Sequence, residues 1–195
     1  MRGRLLLYDT TGRGRPWIQP LLTRAWQVGG GLYAGLGRFD AVHGASSWDE
    51  ALAWVATIAA PGSLDELQFW GHGLPGLVRI GADTFDAARL GRADVGALAA
   101  RLHPQSLVWF RTCGTFGQAP GQGFATAAVA RLGCRVAGHT HAIDVVQSGL
   151  HTLAPGSAPA WSTAEGVTAG GSLAPSSVVA PHTVSFLAGR IPRGW

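Results

Sequence analysis

Two residues that could act in nucleophilic catalysis stand at the ends of apolar stretches. Cys113 comes shortly after Leu107–Phe110, and His72 ends the stretch Leu67–His72. A glycine follows each of them, which favours a turn at that point. A thiolate is a strong nucleophile, and a neighbouring imidazole favours its formation by taking the thiol proton. The residue types therefore indicate a Cys–His dyad, provided that the fold brings the two stretches together.

The elements that must position this dyad are predicted from the apolar pattern. Strands are expected over residues 4–8, 39–42, 67–72, 76–81, 107–110 and 135–138, and helices over 47–60, 94–102 and 122–132. This order of elements predicts an α/β fold, a three-layer sandwich around a mostly parallel central sheet. In such a sheet the carboxyl ends of the strands meet at one edge, where ligands bind.

The remaining segments carry weaker signals. The glycine-rich run Gln27–Gly37 lacks the spacing of a phosphate loop and is interpreted as a flexible or closely packed loop. Beyond about residue 150, Ala, Gly, Ser and Pro predominate, which predicts irregular covering loops with a closing strand at Val184–Leu187. We expect one domain over residues 1–195.

Composition narrows the class of partner. The chain has 195 residues and a formal net charge of +4. Its arginines are scattered singly, without the clusters of a nucleic-acid site, and no stretch is apolar enough to span a bilayer. Two cysteines do not make a disulfide framework, so we expect free thiols and a cytoplasmic setting. The sequence predicts no cofactor and leaves the oligomeric state open.

The strand endings resemble those of the caspase–gingipain–legumain clan (clan CD) of cysteine peptidases. The matching segments are "LQFWGHG" at Leu67–Gly73, "GLVRIG" at Gly76–Gly81 and "LVWFRTC" at Leu107–Cys113, within about Leu67–Gly138. Where many members have Asp-Ala-Cys or Gln-Ala-Cys, this chain has Arg-Thr-Cys, as in a divergent member of bacterial type.

The resemblance implies a caspase-like fold and a role for each matching residue. Cys113 corresponds to the nucleophile and His72 to the group that transfers protons. The amides of Gly73 and Cys113 correspond to the oxyanion donors. The implied partner is a peptide or protein substrate.

Six further residues are candidates for the substrate site. Asp9 or Asp144 could select a basic residue before the scissile bond, as acidic groups do in some clan members. The other candidates lie beside the predicted strand ends and are Arg111, Thr112, His139 and His141.

Two other classes of function compete with the peptidase. A non-catalytic scaffold or sensor of the same fold would use Cys113 and His72 for packing alone. A metal-dependent hydrolase would use His139, His141 and Asp144; "GHTH" at Gly138–His141 resembles the last motif of calcineurin-like metallophosphoesterases. The other metal-binding motifs of that family are missing from the sequence, so no metal site is predicted. The remaining residues with reactive side chains are interpreted as isolated or structural: Cys134, His43, His103, His151 and His182.

Overall fold

The computed structural model describes residues 3–12, 19–192 and 195. The described strands are β1 (Gly3–Asp9), β2 (Ala41–Ala45), β3 (Leu64–Trp70), β4 (His72–Leu74), β5 (Leu77–Ile80), β6 (Asp83–Asp86), β7 (Leu102–Arg111), β8 (Arg135–His139), β9 (Val146–Gln147), β10 (Leu150–Leu153) and β11 (Val184–Ser185). The helices are α1 (Gln19–Gly35), α2 (Trp48–Ile58), α3 (Ala87–Leu90), α4 (Ala93–Ala99) and α5 (Gln118–Leu132).

Six of the strands form a central sheet in the order β10-β8-β7-β3-β1-β2. All neighbours from β8 to β2 are parallel, and β10 alone in this sheet runs antiparallel, against β8. The chain is therefore an α/β protein with a mixed, mostly parallel sheet, as the alternation of elements predicts. A three-stranded antiparallel sheet, β4-β5-β6, and a two-stranded one, β9-β11, lie outside it.

The core divides according to the two faces of the central sheet. On one face, alternate residues of the parallel strands pack with α2, α4 and α5 in the largest apolar cluster. On the other face, Leu6 and Trp70 pack against Tyr33 of α1, and Trp109 packs against Val184 in the C-terminal part. Side chains alternate along a strand, so each apolar strand contributes to both layers. The result is a helix–sheet–helix arrangement, with α1 and the C-terminal part on the second face.

The helix predicted from residue 47 is present as α2, and side chains cap its first turn. Ser47 caps α2, and its hydroxyl accepts a hydrogen bond of 3.1 Å from the Glu50 amide. The Glu50 carboxylate accepts from the amide and the hydroxyl of Ser46 rather than from Ser47. These contacts satisfy amides that a helix start leaves free.

The interpretation of Gln27–Gly37 as a loop is wrong, because most of this run belongs to α1. Its glycines lower helix propensity, which hides the helix in the sequence, but two of them lie against the sheet. A Cβ on Gly29 would lie 3.1 Å from the Trp70 ring, and a Cβ on Gly30 would lie 3.0 Å from Leu6 and Val42. Glycine therefore allows this helix to approach the sheet closely.

Other predicted boundaries also move. Helix α5 begins at Gln118 rather than Gln122, and β7 begins at Leu102 rather than Leu107. The expected closing strand at Val184–Leu187 is reduced to two residues that pair with β9, outside the central sheet. The antiparallel edge strand β10 was not predicted. No helix in the described ranges is both long and apolar enough to cross a membrane.

The packing of α1 predicts different effects for two adjacent glycines. Gly31→Ala should raise the free energy of unfolding by about 1 kcal/mol, because alanine favours the helix and the added Cβ meets open space. Gly30→Ala should stabilise the protein less, because the gain in helix propensity is offset by the cost of moving Leu6 and Val42. Chemical denaturation of both variants measures the difference. Equal stabilisation would contradict the close approach of α1 to the sheet.

Candidate active site

The register of the central sheet brings the two predicted catalytic residues to one edge. Strands β3 and β7 are parallel neighbours, and Trp70 lies opposite Arg111. His72 lies two residues after Trp70, and Cys113 lies two residues after Arg111. The two therefore occupy equivalent positions just beyond the carboxyl ends of adjacent strands. Both are half-buried.

His72 and Cys113 line the same cavity, which has a volume of about 430 Å³. Helix α1 contributes part of its wall through Ala25, Trp26 and Gly29. Further wall residues come from the segment between β8 and β9, and Phe186 contributes from the C-terminal part. The cavity thus joins the two strand ends to the layer that covers the second face of the sheet.

The sulfur of Cys113 contacts the backbone of Ile143. Its Sγ accepts a hydrogen bond of 3.4 Å from the Ile143 amide, and the thiol donates to the Ile143 carbonyl at 3.6 Å. Burial raises the pKa of Cys113; the Ile143 amide opposes this rise, and the negative charge of Asp144 adds to it. The thiol is therefore protonated at neutral pH in the free protein.

His72 is held beside helix α1 and is uncharged at neutral pH. The edge of one ring meets the face of the other in a T-shaped contact with Trp26, at 5.3 Å between ring centroids. Burial lowers the pKa of His72; the negative charge of Asp9 partly opposes this, and the positive charge of Arg79 adds to it. A neutral imidazole has a lone pair and can accept a proton.

The turn after Cys113 packs directly on Gly73. A Cβ on Gly73 would lie 2.6 Å from the Thr112 hydroxyl and 2.7 Å from the Cys113 carbonyl oxygen, so a larger residue would displace the turn. Thr112 is buried and hydrogen-bonds the hydroxyl of Thr115. Gly114 adopts a φ of +60°, which favours glycine, and its amide donates to the carbonyl of His141 at 2.9 Å.

Arg111 lines the cavity and is buried, with 5% of its surface exposed. Its guanidinium lies against the rings of Trp70 and Trp109, at 5.2 and 4.6 Å from their centroids. Nη2 donates to the Gln147 side chain at 2.7 Å and to the Phe186 carbonyl at 2.9 Å. Burial lowers the pKa of Arg111 to about 10, so the group stays charged at neutral pH.

Among the described residues, no carboxylate forms an ion pair with Arg111. The Tyr33 hydroxyl and, more weakly, the Glu66 carboxylate oppose the fall in the pKa of Arg111, but that carboxylate is bound by Arg38 at 2.6 Å and by the Gln68 amide at 2.7 Å. Nη1 of Arg111 is buried and has no hydrogen-bond partner in the described part of the chain. A buried cation in this position favours an anionic group in the cavity.

The two acidic candidates occupy different places. Asp9 is fully buried; one carboxylate oxygen accepts from the amide and hydroxyl of Thr11, and the other accepts from the Gly81 amide at 3.2 Å. Its contacts are those of a turn cap. Asp144 lines the cavity, and its exposed side chain accepts a hydrogen bond of 2.9 Å from the Val146 amide.

His139 ends the neighbouring strand β8 and His141 follows it, and their carbonyls accept hydrogen bonds from the segment after Cys113. His139 is fully buried, its Nδ1 lies 3.1 Å from the Ser148 carbonyl oxygen, and burial lowers its pKa to about 3. The Nδ1 of His141 lies 2.9 Å from the Thr140 hydroxyl. No group of three possible metal ligands in the described ranges includes His139, His141 or Asp144. The described residues therefore give no support to the metal-dependent alternative built on these three side chains.

Sequence reasoning missed the residues that close the cavity from other parts of the chain. Trp26, Ile143, Gln147 and Phe186 line it, but none of them directly follows the end of a strand of the central sheet. The signal available for Gln147 was weak: a polar residue directly after two valines. Cys134 is fully buried in the main apolar cluster, which agrees with the packing role predicted for it. Both cysteines are free.

Comparison with known proteins adds no relative. No protein-family model matches the chain, no curated protein is significantly similar to it, and no solved structure matches its fold significantly.

Proposed function

We propose that the chain is a cysteine peptidase of the caspase-like clan, in which Cys113 is the nucleophile and His72 transfers the protons. One observation carries the proposal: both residues continue from the paired ends of β3 and β7 and line one cavity. Two further features support the resemblance. The hairpin β4–β5 begins at His72, and the strand that ends before Cys113 is the spatial neighbour of β3.

The proposed reaction starts from a neutral pair. As the Cys113 sulfur attacks the peptide carbonyl carbon, its proton passes to the His72 imidazole. The resulting imidazolium gives this proton to the leaving amine when the carbon–nitrogen bond breaks, which leaves a thioester on Cys113. Water then attacks the thioester with His72 as base, which releases the acid and restores the thiol.

The negative oxygen of the tetrahedral intermediate requires hydrogen-bond donors. The backbone amides of Gly73 and Cys113 are the proposed donors, and the close packing of Gly73 on the Cys113 turn supports this assignment. Donors fixed before the reaction stabilise the developing charge without reorganisation. Because glycine has no side chain, the backbone at position 73 can stay in contact with the Cys113 turn.

The charged groups in the cavity also indicate which substrate residue would precede the scissile bond. Its buried cation is Arg111, and the carboxylate that acts electrostatically on that charge, Glu66, is bound by Arg38. An acidic side chain on the substrate would complete the hydrogen bonding of the guanidinium. The proposed substrate is therefore a peptide with aspartate or glutamate before the scissile bond. Asp144, in the same cavity, would instead favour a basic residue there.

Removal of either member of the dyad tests the reaction. On a fluorogenic peptide library that varies the residue before the cleaved bond, Cys113→Ala should have no activity, because no nucleophile remains. His72→Ala should lower kcat by about 10²- to 10⁴-fold, the usual contribution of general acid–base catalysis. Cys134→Ala is the matched thiol control and should keep full activity.

Circular dichroism checks that each of these variants is folded. Undiminished cleavage by folded Cys113→Ala would disprove the peptidase assignment. A wild-type protein that cleaves no peptide in the library would favour the non-catalytic module.

Three substrates that differ in one residue test the role of Arg111. A charge-assisted hydrogen bond contributes about 1.5–3 kcal/mol, so kcat/KM for an aspartyl peptide should exceed that for its asparaginyl counterpart by about 10- to 100-fold. Arg111→Gln should bring this ratio towards one, whereas Asp144→Asn should not lower it. Preference for an arginyl peptide would instead assign selectivity to Asp144 and reject the acidic preference.

A further inference from the structure

A second group of polar side chains lies away from the cysteine, in the C-terminal part of the chain. His151, Glu165 and His182 each offer one ligand atom, and these atoms all lie within 4.8 Å of one another. His151 Nε2 and Glu165 Oε1 are 2.7 Å apart, and the rings of His151 and His182 meet with their centroids 4.8 Å apart. Sequence reasoning did not find this group, because the three residues are well separated along the chain.

Three different segments supply these side chains. His151 belongs to the edge strand β10, which pairs with β8 of the central sheet. Glu165 and His182 lie in the irregular part that follows, where the described residues form no helix between β10 and β11. The Leu150 amide donates to the His182 carbonyl at 3.0 Å, so the backbone around His182 is bound to the edge strand.

The backbone at His182 adopts a conformation that few non-glycine residues use. Its φ is +47°, in the left-handed region, and its side chain is exposed. This region is uncommon for residues that carry a Cβ, and it persists where surrounding contacts determine it. Here it accompanies the placement of the imidazole beside His151.

Neighbouring groups orient the proposed ligands. The Thr140 hydroxyl donates to Glu165 Oε1 at 2.9 Å, and the Trp161 ring stacks on His151 at 4.9 Å between centroids. Trp195 meets the His182 ring in a T-shaped contact at 5.1 Å. Hydrogen bonds to a ligating carboxylate and an apolar surrounding shell are typical of metal sites, where they fix the ligands and limit solvent access.

We propose that His151, Glu165 and His182 form a binding site for a zinc ion. Two imidazoles and one carboxylate are ligands that Zn²⁺ accepts, with water as a fourth ligand. Zinc–ligand bonds of about 2.0–2.2 Å place tetrahedral ligands roughly 3.4 Å apart. One pair of the ligand atoms is 2.7 Å apart and all three lie within 4.8 Å of one another, so side-chain rotations could bring them to this separation.

The ion would fasten the C-terminal part to the edge of the sheet. His182 lies four residues before Phe186, whose carbonyl binds Arg111 and which lines the cavity. Zinc bound between β10 and His182 would therefore stabilise the segment that covers the cavity. The site stands independently of the peptidase proposal, because neither Cys113 nor His72 takes part in it.

A binding experiment on the full chain tests the site without any measure of activity. The background is Cys113→Ala, which removes a free thiol that could itself bind Zn²⁺. After treatment with EDTA and its removal, titration calorimetry with Zn²⁺ should show one equivalent bound. His182→Ala should weaken binding by at least about 10-fold, because an exposed ligand is lost without disturbing the core.

Two further variants complete the design. Glu165→Gln keeps the shape and an acceptor oxygen for Thr140 but removes the charge, and it should also weaken binding by at least about 10-fold. His103→Ala is the matched control, because His103 also pairs with a carboxylate, Asp65 at 2.8 Å, yet belongs to no three-ligand group in the described ranges. Its affinity for Zn²⁺ should be unchanged.

Thermal unfolding supplies a second readout. Zn²⁺ should raise the Tm of the background protein and of its His103→Ala form, because a ligand of the folded state stabilises that state. The rise should be smaller in His182→Ala and Glu165→Gln. Absence of binding in the background protein, or equal affinity in all four forms, would overturn the zinc site.

Discussion

The parallel pairing of β3 with β7 sets Trp70 opposite Arg111, and the cavity and its lining depend on this register. A shift of one residue would turn the side chains of one strand to the opposite face of the sheet. Cys113 and His72 would then lie on different sides. The apolar residues of both strands hold the register, because Phe69 and Phe110 face the main core while Trp70 and Trp109 face the second layer.

The second face of the sheet gives the site its electrostatic character. It carries one buried cation, Arg111, and one half-buried cation, Arg38, and the carboxylate that offsets them is Glu66. Arg111 is held by Gln147 and by the carbonyl of Phe186, so the segments beyond the central sheet position a charge next to the cysteine. The irregular C-terminal part is therefore more than a cover: it contributes directly to the cavity. This coupling is the reason that a zinc site at His182 would bear on the same region.

The parts of the fold that follow from local pattern were predictable, and those that follow from packing were not. The Ser47 cap and the apolar strand before Cys113 are visible in the sequence because capping and burial leave local signals. Helix α1 was missed because glycine lowers helix propensity, while the reason for Gly29 and Gly30 lies in a sheet that is distant in sequence. Likewise, the order of strands suggested that His72 and Cys113 meet. Nothing local could show that Trp26 and Phe186 close the cavity or that His151 meets Glu165 and His182.

The rate at which Cys113 is alkylated tests most directly whether sulfur and imidazole act together. In the wild-type protein near neutral pH, Cys113 should react with iodoacetamide faster than Cys134, because Cys134 is fully buried and its pKa is raised to about 12. The rate should rise with pH beyond the ordinary range of a thiol, since burial raises the pKa of Cys113. His72→Ala should slow the labelling of Cys113 by about 10-fold or more, because the proton acceptor is lost, and His103→Ala should not. Labelling of Cys113 that is unaffected by the loss of His72 would contradict the account.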